Sequence, residues 1–142
     1  MLIEMKNLND TIHILVIDDE PVMRLSCQKA LQLKGMNVDC VENGILGIAK
    51  LHDQHYDVVL IDLMMPQLSG MHILETIQKM NPDIITIVMT GYATKEVAEV
   101  TLQKGAFDYL PKPFTPDELR VVVRKGLEAR KNPVIKPQLC KK

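Results

Sequence analysis

Five short, largely apolar runs rich in β-branched residues are spaced along the chain. Runs of this kind, apolar rather than alternating, are typical of strands buried on both faces of a parallel sheet. Their starts lie 20 to 26 residues apart, the length of one strand and one crossover helix. The pattern predicts strands over residues 12–17, 38–41, 58–61, 84–89 and 107–110.

The segments between these runs have the periodicity of amphipathic helices. Asn43 is a predicted N-cap, Thr115 and Glu118 predict a capping box, and Gly35 and Gly105 are expected to end helices. Five strands alternating with five helices predict an open, doubly wound α/β domain with right-handed crossovers. The side chains expected to face the core are Met23, Cys27, Ala30 and Leu31 in the first helix, Ile45, Ile48 and Ala49 in the second, Ile73, Leu74, Ile77 and Met80 in the third, Ala98, Thr101 and Leu102 in the fourth, and Leu119, Val122, Val123 and Leu127 in the fifth.

Composition and charge narrow the class of protein. The chain has 142 residues, 46% of them apolar, which is enough for one domain with a real core. Seventeen basic and eighteen acidic residues nearly balance, which argues against bulk binding to nucleic acid or to an anionic membrane. No apolar run reaches the roughly 18 residues of a spanning helix, and the start does not have the pattern of a secretory signal. Three widely spaced cysteines predict neither a disulfide framework nor a zinc site, so a single cytoplasmic domain is expected.

The expected domain covers residues 11–128. Residues 1–10 are interpreted as an N-terminal extension. Residues 129–142 contain five basic residues, two prolines and no acidic residue, and are interpreted as a flexible tail or linker stub.

Polar side chains follow four of the five predicted strands. Asp18 and Asp19 come after the first strand, Asp62 after the third, Thr90 after the fourth and Lys112 after the fifth. Each of these alone is more simply a turn, capping or surface residue. The carboxyl ends of parallel strands form the ligand crevice of an open α/β sheet, so their joint placement predicts a functional site there.

The chemistry of this set points to phosphoryl transfer. Three close carboxylates repel one another, and proteins relieve the repulsion by raising a pKa or by binding a cation. An all-oxygen set of ligands favours a hard ion such as Mg²⁺. A carboxylate beside Mg²⁺, a hydroxyl and an ammonium group can accept a phosphoryl group whose oxygens the cations neutralise.

Four segments together resemble the receiver domain of bacterial two-component response regulators. They are ILVIDDEP, DVVLIDLMMPQLSG, IITIVMTGYA and GAFDYLPKPF, and their order and spacing agree with that family over about residues 11–128. The resemblance implies a flavodoxin-like, five-stranded sheet in the order 2-1-3-4-5. The last two segments are most similar to receivers attached to transcription activators or found in hybrid kinases.

The resemblance also implies a role for each residue of the site. It makes Asp62 the phosphoacceptor, with Thr90 and Lys112 contacting the phosphoryl oxygens and the Lys112–Pro113 peptide bond cis. Thr90 and Tyr109 would form the switch. Mg²⁺ would be held by Asp18, Asp19, Asp62 and the backbone carbonyl of Met64. Met64 and Tyr92, two residues beyond Asp62 and Thr90, would influence the rate of dephosphorylation.

By the same resemblance, the phosphoryl donor is a sensor histidine kinase or a phosphotransfer protein. The surface of the fourth helix, fifth strand and fifth helix would control a downstream protein or a linked effector domain, and phosphorylation could drive homodimerisation. This chain would catalyse its own phosphorylation without being a conventional enzyme, and would bind neither nucleic acid nor membrane. Two alternatives are an aspartyl-nucleophile phosphohydrolase, which needs a second acid where Met64 stands, and a degenerate receiver that only binds proteins.

Overall fold

The computed structural model describes residues 11–92 and 94–131 of the chain. The predicted extension over residues 1–10 lies outside the described residues, as does the tail from residue 132 onward. Five strands and five helices alternate, as predicted, and each strand begins and ends within one residue of its predicted position. The strands are β1 (His13–Ile17), β2 (Asn37–Val41), β3 (Val58–Asp62), β4 (Ile85–Thr90) and β5 (Asp108–Pro111), and the helices are α1 (Pro21–Gln32), α2 (Gly44–Asp53), α3 (Gly70–Met80), α4 (Lys95–Gln103) and α5 (Pro116–Lys131).

The five strands form one parallel sheet in the order β2-β1-β3-β4-β5. This order confirms the doubly wound, flavodoxin-like fold. Asp62 pairs with Met89, and Thr90 pairs with Pro111. The register therefore brings the carboxyl ends of β3, β4 and β5 to one edge of the sheet. No helix within residues 11–92 and 94–131 has both the length and the apolar character needed to cross a bilayer.

The sheet is buried on both faces, and alternate residues of each strand supply two separate cores. In β1, Ile14 and Val16 pack against side chains of α1 and α5, whereas Leu15 and Ile17 pack against side chains of α3. All four are fully buried. Burial on both faces explains why the strands are apolar throughout rather than alternating.

Two of the side chains that α2 was predicted to bury are exposed. Ile45 is 62% exposed and Ala49 also faces solvent, so the predicted inward face is wrong at both positions. The buried face of α2 carries Gly44 and Gly47 instead. A Cβ atom on Gly47 would overlap the side chain of Ile17, so the helix lies close to the sheet through its glycines. Hydrophobic periodicity cannot predict this buried face, because glycine has no side chain to contribute to the pattern.

Helix α4 is also anchored by fewer apolar side chains than predicted. Ala98 and Thr101 are buried as expected, but Leu102 is 41% exposed. In α1, Met23, Cys27, Ala30 and Leu31 face the core, and the core stripes predicted for α3 and α5 are likewise buried or half-buried.

Helix caps follow the sequence signals. The Asn43 side chain accepts a hydrogen bond of 2.8 Å from the Leu46 amide. Thr115 and Glu118 form the reciprocal bonds of a capping box, 3.1 Å and 2.9 Å long. Gly35 has φ of +78° but lies beyond the C-cap of α1, so it shapes the following turn rather than ending the helix directly.

Helix α5 extends past the predicted domain boundary. It continues to Lys131, three residues beyond the predicted boundary at residue 128. Nη2 of Arg130 lies 3.1 Å from Oδ1 of Asp57, a buried residue just before β3. This ion pair connects the last turn of α5 to the residue just before β3.

Candidate functional site

Asp18 is the buried centre of the predicted site. Its backbone extends β1 by one hydrogen bond, from its amide to the carbonyl of Val41, and Arg24 donates to its carbonyl at 2.8 Å. The carboxylate is inaccessible to solvent. Oδ1 accepts from the Glu20 amide at 2.9 Å, and Oδ2 accepts from Nζ of Lys112 at 3.0 Å. Backbone and side-chain partners thus fix this carboxylate from both sides.

Asp62 is the last residue of β3 and is 4% exposed. Its Oδ1 accepts from the Met64 amide at 3.2 Å and lies 3.5 Å from Nζ of Lys112. Helix α3 begins immediately beside it. A Cβ atom on Gly70 would overlap the Asp62 carbonyl oxygen, and the Gly70 amide donates to the carbonyl of Leu63 at 3.2 Å. Glycine at this position therefore lets α3 start against the end of the strand.

The three predicted acidic residues converge. Carboxylate oxygens of Asp18, Asp19 and Asp62 all lie within 4.8 Å of one another, with Asp19 exposed and the other two buried. Mg²⁺ binds oxygen ligands at about 2.1 Å, so two of its ligands lie up to roughly 4.2 Å apart. The spacing and the all-oxygen donor set fit such an ion after small adjustments of the side chains.

Burial and neighbouring charges shift the pKa values of Asp62 and Lys112. Burial, and next the nearby charge of Asp18, raise the pKa of Asp62 to about 6, although Lys112 and the Met64 amide oppose the rise. Burial by itself would lower the pKa of Lys112, but its hydrogen bond with Asp18 and the surrounding carboxylates raise it. Lys112 therefore stays charged among the carboxylates, whereas Asp62 ionises less readily than an ordinary aspartate.

Thr90 and Lys112 are held at the same edge by backbone hydrogen bonds. Thr90 ends β4 and is fully buried, and its Oγ1 accepts from the Tyr92 amide at 2.9 Å. The Lys112 amide donates to the Thr90 carbonyl at 2.7 Å. The Lys112–Pro113 peptide bond is cis, as the resemblance implied. The structure thus brings together Asp18, Asp19, Asp62, Thr90 and Lys112.

The remaining predicted residues surround this centre. Tyr109 pairs with Val88, two residues before Thr90, so Tyr109 and Thr90 lie on the same face of neighbouring strands. Tyr109 is half-buried. Met64 and Tyr92 are 54% and 62% exposed, at positions that follow Asp62 and Thr90. Met64 has no proton to donate, so the site lacks the second acid that a phosphohydrolase needs at this position.

The sequence did not point to Glu20 as a residue of the site. Oε1 of Glu20 lies 3.4 Å from Nζ of Lys112. The only signal was its position directly after the Asp18–Asp19 pair, which does not distinguish a residue of the site from a residue at the start of α1.

Comparison of the sequence with known families agrees with this geometry. It matches the family described as response regulator receiver domain over residues 14–124. This chain belongs to that family. Among its relatives are the regulatory protein AtoC of Escherichia coli K12, 38% identical over 81% of this chain and 25% of AtoC, and the DNA-binding transcriptional regulator NtrC of Salmonella typhimurium, 36% identical over 79% of this chain and 24% of NtrC. This receiver thus spans about a quarter of the length of these relatives.

Solved receiver structures have the same fold. A CheY-like receiver domain protein from Methanospirillum hungatei covers 87% of this chain and 99% of its own, with a TM-score of 0.83 and 27% identity. The BeF₃-activated DrrB receiver domain covers 83% of this chain and 98% of its own, with a TM-score of 0.78 and 28% identity. NtrX from Brucella abortus matches over 85% of this receiver but only 28% of its own chain, with a TM-score of 0.81 and 28% identity.

Proposed function

We propose that Asp62 accepts a phosphoryl group from the phosphohistidine of a sensor histidine kinase or a phosphotransfer protein. A carboxylate oxygen attacks phosphorus, the phosphorus–nitrogen bond breaks, and the histidine nitrogen leaves as an acyl phosphate forms. The observation that carries the proposal is a buried Asp62 beside both Lys112 and Asp18 in a receiver fold. The chain assists its own modification and turns over no external pool of substrate, so it is not a conventional enzyme.

The acidic cluster supports a requirement for Mg²⁺. Asp18, Asp19, Asp62 and the backbone carbonyl of Met64 are the groups that would hold the ion. Bound there, Mg²⁺ would neutralise negative charge on the phosphoryl oxygens. The raised pKa of Asp62 supports this assignment, because a nearby cation would favour the ionised, nucleophilic form of the carboxylate.

Lys112 and Thr90 are suited to bind the transferred group. The Lys112 ammonium group is already 3.5 Å from Asp62 and can pair with a phosphoryl oxygen after a small movement. The Thr90 hydroxyl accepts from the Tyr92 amide and can still donate its own proton. Thr90 ends β4, the strand next to β3, and Lys112 follows β5, the strand next to β4. The fold therefore places both donors at this edge of the sheet before the reaction begins.

Phosphorylation would then change the surface formed by α4, β5 and α5. Movement of the Thr90 hydroxyl toward the phosphoryl group would free space that Tyr109 can enter, since both lie on the same face of the sheet. Ala98 and Thr101 are the buried anchors of α4, so this helix can change position at low cost. Only a difference of a few kcal/mol between the two states is required.

The output partner is a downstream protein or a covalently linked effector domain. The greater length of AtoC and NtrC supports a linked effector, and phosphorylation-dependent homodimerisation through the changed surface would be one way to control it. The receiver itself is nearly neutral, so we assign it no direct binding to nucleic acid or membrane. A partner of sensor kinases is expected to work in the cytoplasm.

The phosphoacceptor is tested with acetyl phosphate and Mg²⁺, followed by intact-mass measurement. The wild type should gain one phosphoryl group and Asp62→Asn none, because an amide cannot form the acyl phosphate. Asp53→Asn, which changes an exposed carboxylate at the end of α2, should behave as wild type. Phosphorylation of Asp62→Asn would refute the assignment, and an unmodified wild type would favour a receiver that only binds proteins.

A further inference from the structure

Glu20 occupies an unusual place at the start of α1. It is the N-cap residue, yet its side chain makes no capping hydrogen bond to the helix. Its amide donates to Oδ1 of Asp18, and its carbonyl accepts from the Arg24 amide at 3.1 Å. Pro21 follows and favours the extended backbone that Glu20 adopts, with φ of −93° and ψ of 118°. The backbone of Glu20 is therefore fixed beside the site, and its side chain extends to Lys112.

Lys112 contacts three carboxylates of different exposure. Nζ lies 3.0 Å from Asp18, 3.4 Å from Glu20 and 3.5 Å from Asp62. The side chains of Asp18 and Asp62 are 0% and 6% exposed, whereas that of Glu20 is 62% exposed. An ammonium group has three N–H donors, so these three contacts can use all of them. Glu20 is the partner that water can replace most easily.

We propose that Glu20 is a positioning residue that holds the Lys112 ammonium group in the resting site and releases it when Asp62 is phosphorylated. This inference rests on the proposed function. A phosphoryl group on Asp62 needs a donor from Lys112 and brings negative charge close to the Glu20 carboxylate. Glu20 thus competes with the phosphoryl group for the same ammonium and opposes its arrival, which keeps the unphosphorylated state favoured.

The rate of phosphorylation by acetyl phosphate tests this role. Glu20→Gln removes the competing charge and should raise the rate about threefold at low salt, the size expected for a partly exposed charge pair. The increase should shrink toward none at 0.5 M salt, because salt screens the exposed carboxylate. The matched control is Glu42→Gln, which removes one exposed negative charge just after β2 and should leave the rate unchanged.

Unfolding without metal tests the same contact independently of phosphorylation. In EDTA, Glu20→Gln should lower the urea midpoint more in the wild type than in a Lys112→Gln background, because only the wild type retains the ammonium group that Glu20 contacts. Equal shifts in the two backgrounds would overturn the proposal, as would equal rate increases for Glu20→Gln and Glu42→Gln. If neither the wild type nor any variant is phosphorylated, the proposed function is wrong. The unfolding comparison would still show whether Glu20 contacts and holds Lys112.

Discussion

Nζ of Lys112 donates a 3.0 Å hydrogen bond to Oδ2 of Asp18, although 94 residues separate the two in the chain. The bond compensates a carboxylate that solvent cannot reach. Asp62 lies slightly farther from the same ammonium group, at 3.5 Å, and burial together with the nearby charge of Asp18 raises the pKa of Asp62 to about 6. The fold therefore gives the two buried carboxylates of the site different contacts with one ammonium group, a hydrogen bond for Asp18 and a longer ion-pair contact for Asp62.

The raised pKa of Asp62 predicts a pH dependence of stability in metal-free buffer. Its value near 6 in the folded protein exceeds the value of about 3.9 in an unfolded chain, so the native state binds more protons between these values. Stability contributed by the neutral carboxyl is present at low pH and is lost as the pH rises through 6. The side chain of Asp62→Asn does not titrate and does not have this loss. The unfolding free energy of Asp62→Asn relative to the wild type should therefore rise by on the order of 1–2 kcal/mol from pH 4.5 to 7.5.

Urea unfolding in EDTA at both pH values measures this difference. Asp53→Asn serves as the control, because it alters an exposed carboxylate and should follow the wild type. A difference between Asp62→Asn and wild type that stays constant with pH would contradict the predicted titration.

Met64 is predicted to lengthen the lifetime of the aspartyl phosphate. Hydrolysis needs a water positioned for attack on phosphorus, and a thioether at this exposed position holds water poorly. Met64→Asn or Met64→Glu should therefore speed decay by about tenfold. Loss of phosphoryl label in Mg²⁺ buffer measures the rate. Met64→Leu keeps the position apolar and should decay as wild type, and equal rates for all four proteins would show that Met64 does not control the lifetime.

Asp57 is predicted to be the most sensitive carboxylate outside the site. It is 1% exposed and accepts hydrogen bonds from the His13 amide at 2.9 Å and from Arg130 at 3.1 Å, with His55 at 3.2 Å. Asp57→Ala leaves these donors without their carboxylate partner and should cost about 2–4 kcal/mol in unfolding free energy. Asp53→Ala, at an exposed site, should change it by less than about 0.5 kcal/mol, and similar losses for both would contradict this prediction.

The close approach of α2 to the sheet predicts an unusual effect of alanine. Alanine normally stabilises a helix interior by about 1 kcal/mol relative to glycine. Gly47→Ala should instead destabilise the protein by about 1–2 kcal/mol, because the added Cβ overlaps the side chain of Ile17. Combining it with Ile17→Val should recover part of the loss.

Gly91→Ala is the matched control for thermal and urea unfolding. A Cβ atom there meets nothing within 4 Å, and the position has no positive φ, so the protein should be as stable as the wild type or slightly more stable. Stabilisation by Gly47→Ala would show that α2 can move away from the sheet without cost.

The amino-acid sequence alone determined the strands and the centre of the site. Strands buried on both faces must be apolar almost throughout, so their positions were visible within one residue. Asp18, Asp62, Thr90 and Lys112 directly follow or end such strands, and parallel pairing brings strand ends together without any further information. For these residues, position in the chain was sufficient to predict position in space.

Only the tertiary structure determined the contacts between side chains that are distant in the sequence. It placed Glu20 against Lys112, paired Arg130 in the last turn of α5 with Asp57, and packed α2 through Gly47 rather than Ile45. None of these follows from periodicity, because a glycine contributes no hydrophobic signal and the hydrophobic pattern does not show which partner a charged side chain meets. Only the packing of the elements determines which charge meets which partner, and how closely a helix approaches the sheet.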